Sequence, residues 1–192
     1  MKKLLITGFD PFGGATINPS WEAVNRLPDV IGEYEIHKLQ IPTVFGVAPR
    51  EVLKQAETLQ PDVIISVGQA GGRAAVTPER IGINIRDARI ADNAGVIPQD
   101  EAIVPGGPDG YFTTLPIKAM IAAISDSNLP AAVSNSAGTF VCNDVLYSLL
   151  HHYHGTEVRC GFIHVPYLPE QGSPSLTLEE TIQALTAAVT AL

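Results

Sequence analysis

"PDVIISVG", residues 61–68, decides the fold. Between Asp62 and Gly68 only Ser66 interrupts a run of Val63, Ile64, Ile65 and Val67. A strand with one wet face alternates apolar and polar residues, whereas a near-continuous apolar strand belongs to a parallel sheet covered on both faces. Similar runs lie on either side: "KLLITGF" at 3–9 and "VRCGFIHVP" at 158–166, with the more alternating "EYEIHKLQIP" at 33–42 and a short "AAVS" at 131–134. Between them falls helical spacing. "SWEAVNRLP" at 20–28 reads as a helix capped by Ser20 and stopped by Pro28, and residues 44–59 carry helical spacing through Val47, Val52, Leu53 and Leu59. Further helices are expected at 115–126, at 142–153 through Val145, Leu146, Leu149 and Leu150, and from 177 to the end. Strands alternating with helices imply an α/β fold, a mainly parallel twisted sheet with helices on both faces. The region 71–114 is looser, with strand-like pieces only around "IGINIRDARI". Long irregular stretches in compact domains are often functional.

With 192 residues and 45% hydrophobic content, the chain is expected to form a single domain, 1–192. Its 17% charged content is below the roughly 25% usual for soluble domains, and fifteen prolines and seventeen glycines suit ordered turns around a buried sheet. Twelve basic against twenty acidic residues give a net charge of -8, which argues against a nucleic-acid partner. The opening "MKKLLITGFDPFGG" is too briefly apolar for a signal peptide or a membrane span. Two cysteines without an export signal suggest free thiols in a reducing cytoplasm.

Ligands of open parallel sheets bind at the carboxyl ends of the strands. Four loops qualify: "GFDPFGG" at 8–14, "GQAGGR" at 68–73, "SNSAGTFVCN" at 134–143 and "HVPYLPEQ" at 164–171. The glycine-rich loops lack both the dinucleotide-binding spacing and the Lys-Ser/Thr of a phosphate loop. Phe9 and Phe12 are unusual in such a loop and suggest the aromatic wall of a small apolar pocket, against the plainer reading of core packing.

Free cysteine is commonly a small buried hydrophobe. Cys142, however, follows small residues and opens a helix, where the dipole is expected to lower its pKa and backbone N–H groups could hold an oxyanion. His151, His152 and His154 lie at the far end of that helix, about 15 Å away for ten residues, where a solvated helix end is the plainer reading. His37 sits within a strand. His164 ends a strongly apolar strand and is the candidate base. Cys160, four residues before it on the same strand, is about 13 Å distant, which assigns Cys160 to the core and argues against a metal shared by the pair. No other cluster has zinc spacing, so neither metal nor cofactor is expected. An acid to orient the imidazole could be Glu79, Asp87 or Asp92, and spacing does not choose among them.

The segments "GFDPFGGATINPSWEAV", "GQAGGRAAVTPERIGINIRDARIADNAG", "SNSAGTFVCNDVLY" and "GFIHVPYLPEQ", in this order, closely resemble the pyroglutamyl peptidase type I family, the pyrrolidone-carboxylate peptidases. The resemblance implies a three-layer α/β/α sandwich and a cysteine exopeptidase that removes N-terminal pyroglutamyl residues from peptides. It places the nucleophile at Cys142, the histidine at His164, the acid at Glu79 and an oxyanion-holding arginine at Arg89. It also places pocket aromatics at Phe9 and Phe12, with Gln69 and Asn18 as polar or loop-shaping members. Neither cofactor nor metal is implied, and a homo-oligomer is compatible with it. Two rival readings exist. A nucleoside-phosphorylase-like enzyme would share the sheet architecture but leave Cys142 without a task, and an inactive pyroglutamyl-peptide-binding module would bind without turnover.

Overall fold

The computed structural model describes residues 1–192. Along the chain run β1 (Lys2–Phe9), α1 (Pro19–Asn25), β2 (Val30–Ile31), β3 (Tyr34–Ile41), α2 (Val47–Leu59), β4 (Val63–Gln69), β5 (Thr77–Pro78) and β6 (Ile81–Ile83). There follow β7 (Gly110–Phe112), α3 (Ile117–Asp126), α4 (Val141–His152), β8 (Arg159–Val165) and α5 (Leu178–Thr190). The main sheet has six strands in the order β2-β3-β1-β4-β8-β5. Its four long strands, β3, β1, β4 and β8, are mutually parallel, and the short β2 and β5 close its edges in antiparallel pairing.

The apolar runs work as a sheet covered on both faces requires, because successive side chains of a strand point to opposite sides. Leu4 and Ile6 of β1, Val63, Ile65 and Val67 of β4, and Ile163 and Val165 of β8 face a core closed by α1, α3 and α5. Leu5, Ile64, Cys160 and Phe162 face the other way, into a core closed by α2 and α4. The result is the three-layer sandwich. Cys160 is 1% exposed, as expected of a core thiol. No helix is long and apolar enough to cross a membrane.

Several local expectations change. The cap of α1 is Asn18, whose side chain accepts from the Ser20 amide, and Pro19 takes the first helical position, where its missing N–H costs nothing. Ser20 instead turns inward and its hydroxyl accepts from the Phe9 amide at 3.0 Å, tying the helix to the end of β1. The "AAVS" segment is extended but not a regular strand. It meets β5 and its flanks only at bridges Val76 to Ala131 and Glu79 to Ser134. Amides of Val76, Ala132, Ser134 and Arg80 all take part in that pairing, and the bond missing from the series is the one Pro78 has no N–H to donate. The irregular region holds a separate hairpin of β6 and β7.

Among the parallel strands, the chain runs from β1 outward to β3 and then back across to β4 on the other side of β1. This reversal leaves a crevice at the carboxyl ends of β1 and β4, where the loops after them diverge. Beside that crevice β1 packs tightly on α1, since a Cβ on Gly8 would lie 2.7 Å from the Trp21 backbone. Gly8→Ala is expected to cost about 1–3 kcal/mol of stability, read from urea unfolding midpoints. An unchanged midpoint would mean that α1 yields without cost.

Candidate active site

Cys142 is the second residue of α4, and the helix has no side-chain cap at Phe140. The first turn is held by its neighbours instead. The Asn143 side chain donates to the carbonyls of Ile83 and Ile85 and accepts from the Ile83 amide, stitching α4 to the irregular segment. Asp144 is fully buried and accepts from Arg86 Nε at 2.8 Å and from the Gly46 amide at 2.7 Å. The sulfur is thereby laid over β4, where a Cβ on Gly68 would stand 2.8 Å from Sγ. Gly68 is the register partner of His164 on β8, so the sulfur of α4 and the imidazole of β8 stand over the same level of neighbouring strands.

His164 is 4% exposed, and its ring packs on Phe162 at 4.8 Å between centroids. Its Nδ1 lies 2.6 Å from Oε1 of Glu79, which is fully buried. Glu79 follows β5, which pairs with β8, and its own amide donates to the Phe162 carbonyl. Of the three acids, geometry brings Glu79 to the imidazole. Asp92 caps a turn through the amides of Ala94 and Val96 and binds the Phe45 amide, and Asp87 is exposed. The cation beside Glu79 is not its neighbour Arg80, which bonds Asn135, but Arg73. Arg73 donates to Thr77 Oγ1 at 2.7 Å, to Glu79 Oε1 at 2.8 Å and to the Ser136 carbonyl at 3.1 Å. Sequence reading missed Arg73, although a buried carboxylate needs a cation and "GGR" ends the loop facing it. The other carboxylate oxygen, Oε2, is buried without a partner.

Burial raises the Glu79 carboxyl, but His164 and Arg73 outweigh it and the group lies below its usual value, ionised at neutral pH. Burial lowers the His164 ring against the raising influence of Glu79, so the resting imidazole is neutral. Burial also pushes the Cys142 thiol up to about 12, with the Glu79 charge adding and Arg73 and the residue's own amide opposing. This corrects the expectation that the helix dipole would lower it. Desolvation of a thiolate exceeds what a helix start returns.

The remaining candidates separate. Phe9 is 2% exposed and packs on Phe162 with centroids 6.1 Å apart, because the last residue of β1 points into the α2/α4 core. It is core rather than pocket wall. Phe12 does open to a cavity, and its ring meets Phe140 at 6.1 Å, which in turn meets Phe45 edge-on at 5.1 Å. Phe140 and Phe45 were missed, since no local pattern marks an aromatic that faces another loop. Arg89 is exposed and lines a 400 Å³ recess with Ile90, Thr139 and Phe140. Mutual bonds between Asp87 and Thr139 tie its segment to the approach to α4. Gln69 lines a larger cavity of 710 Å³ and accepts from Gln171 at 2.9 Å. Asn18 is 2% exposed and works beneath the loop, donating to the Asp10 carbonyl while it caps α1. His151 bonds Tyr111 at the far end of α4, and no group of His, Cys, Asp or Glu gathers with metal-holding geometry.

Two measurements follow from these protonation states. Inactivation by iodoacetamide should quicken about tenfold per pH unit from roughly pH 7 to 10 without levelling; a plateau near 8 would show a thiolate already formed. The second concerns stability. The unfolded imidazole takes its proton near 6.5 and the native ring resists it, so the unfolded state binds more protons below that pH. Stability should therefore fall as pH drops from about 6.5 toward the native value, and His164→Gln should flatten that slope in thermal melts. The contribution of Glu79 is in place above 4.5 and is lost only at lower pH, as its depressed native pKa is reached. An identical slope in the variant would remove His164 as its source.

The family model described as pyroglutamyl peptidase matches residues 2–192. The pyrrolidone-carboxylate peptidase of Levilactobacillus brevis is 53% identical over 198 residues, covering 99% of this chain and 97% of that protein. Its namesake from Erwinia tasmaniensis is 52% identical over 195 residues, covering 98% and 92%. Among solved structures, pyroglutamyl peptidase I of Bacillus amyloliquefaciens superposes with a TM-score of 0.96 at 49% identity, covering 100% of this chain and 96% of that one. Pyrrolidone carboxyl peptidase of Thermococcus litoralis keeps a TM-score of 0.95 at 38% identity, covering 100% and 93%. Matched along its length in sequence and in fold, the chain belongs to the pyroglutamyl peptidase family.

Proposed function

We propose that this chain is a cysteine exopeptidase that hydrolyses the bond after an N-terminal pyroglutamyl residue, with Cys142 as nucleophile, His164 as base and acid, and Glu79 as the group that orients the imidazole. The observation that carries this reading is the buried 2.6 Å contact of Glu79 with His164, on the strand position paired with the glycine beneath the Cys142 sulfur. An acceptor on Nδ1 fixes the tautomer, so Nε2 carries the lone pair that receives a proton.

The resting site is neutral thiol beside neutral imidazole. As Sγ attacks the acyl carbon, its proton passes to His164, and the imidazolium so formed is stabilised by ionised Glu79. Charge on the carbonyl oxygen is met by the α4 start, where the Cys142 amide has no intrahelical partner, and by the Arg89 guanidinium. His164 then protonates the leaving amine, the C–N bond breaks and a thioester remains. Water, deprotonated by His164, adds to the thioester and releases pyroglutamate and the free thiol.

The substrate's ring is a neutral lactam, which suits apolar walls such as Phe12 and Phe140. An open-chain residue would bring an ammonium group, and desolvating that charge without a partner is costly.

The test is hydrolysis of a fluorogenic pyroglutamyl amide. Cys142→Ser should lose at least about 10³-fold in kcat, while Cys160→Ser stays active. Full activity of Cys142→Ser, loss in Cys160→Ser alone, or binding of a pyroglutamyl peptide by the wild type without turnover would each overturn the assignment.

A further inference from the structure

A neutral imidazole brings the buried Glu79 carboxylate a hydrogen-bonding contact at 2.6 Å but no charge. The charge comes from Arg73, whose Nη1 donates at 2.8 Å to the same oxygen, Oε1, that faces Nδ1 of His164, while Oε2 has no partner. Other nearby arginines are engaged elsewhere: Arg80 donates to Asn135 and Arg86 to Asp144. The ion pairs of Glu79 are with Arg73 and His164 alone.

Arg73 is built into its place. Gly72 before it turns the chain at φ +87°, a conformation that glycine adopts freely, and Gly71 lies so close under Tyr167 that a Cβ there would stand 2.2 Å from its ring. The guanidinium also donates through Nη1 to Thr77 Oγ1 at 2.7 Å and through Nη2 to the Ser136 carbonyl at 3.1 Å. One planar fork thus joins the loop after β4, the strand that leads to Glu79 and the loop that leads to Cys142. The charged or titratable groups that face the Glu79–His164 pair are Arg73 from the β4 loop and Cys142 from α4. Thr77, Ser134 and Ser136 around them carry no charge.

We propose that Arg73 is a positioning residue of the reaction: its fork holds the Glu79 carboxylate turned toward His164, and its charge keeps that pair from taking up a proton before Cys142 delivers one. The inference rests on the peptidase reading above. Two coupled groups take up their next proton as a unit, and a cation beside them moves that uptake to lower pH whichever atom receives it. About a third of the Arg73 side chain is exposed, so its place can be reached from solvent.

The pH dependence of hydrolysis of a fluorogenic pyroglutamyl amide separates charge from geometry, because the acid limb of kcat/KM reports the free enzyme's base. Arg73→Gln removes the charge; its acid limb should move up by about one pH unit, and its kcat should fall about tenfold or more with the lost charge-assisted bond. Arg73→Lys keeps the charge without the fork, so its acid limb should stay in place while kcat falls. In Arg73→Ala, guanidinium ion added below denaturing concentration should restore part of the lost kcat. An Arg73→Gln acid limb that coincides with the wild type's, or an Arg73→Ala activity that guanidinium leaves unchanged, would overturn the assignment. Thermal melts show which variants fold; should Arg73→Gln fail to, a displaced acid limb or an undiminished kcat in Arg73→Lys overturns it instead. If the wild type does not hydrolyse the amide, the peptidase reading itself fails, and the role of Arg73 with it.

Discussion

A fully buried carboxylate governs the arrangement of this protein's crevice. Glu79 has no access to water, and desolvating an ion costs several kcal/mol unless partners are held in place around it. Its partners come from separate parts of the chain: His164 from β8, Arg73 from the loop after β4, and the position of Glu79 itself from the pairing of β5 with β8. Removing Arg73 strands the Glu79 charge, and removing His164 takes away its shortest polar contact. Such an ion network is a poor way to gain stability against an apolar core, which is why its presence at the mouth of a crevice fits a site better than a scaffold.

The scaffold supplies the precision that this network alone lacks. The sheet carries two apolar faces that hold helices on both sides, and its reversal of strand order opens space at the carboxyl ends. Asn143 and Asp144, adjacent to Cys142 in the chain, anchor the start of α4 to residues 83–86 and to Gly46. Gly68 leaves room for the sulfur to settle on β4. Helix, strand and irregular segment are thus registered to one another through polar contacts at the helix start.

Much of this was legible in the chain because it depends on local pattern. Apolar runs announced the parallel strands, helical spacing announced α2, α4 and α5, and the position of His164 at a strand end marked it. Cys160 was separable from Cys142 by distance along a strand. What escaped depends on groups far apart in sequence. Arg73 reaching Glu79, Phe140 meeting Phe12 and Phe45, and the inward turn of Phe9 are set by packing between loops and layers. Spacing did not choose Glu79 over Asp87 and Asp92; the family resemblance did, and the contact with His164 agrees. The thiol misled for another reason: the helix dipole is visible in sequence, but the desolvation that overrides it depends on how deeply the first turn is seated. Pro78 was in plain view, yet its effect on the neighbouring extended segment emerged only with the pairing partner known.

The high pKa of Cys142 also bears on the chemical hardiness of the empty protein. Peroxide and adventitious electrophiles attack thiolates, and their rate follows the thiolate fraction and access to the sulfur. A sulfur that keeps its proton presents little thiolate at neutral pH, although Cys142 is half-buried rather than sealed off. The empty protein is thereby guarded by the charge state of its thiol, not by enclosure, against the oxidative damage to which a permanently charged sulfur is open.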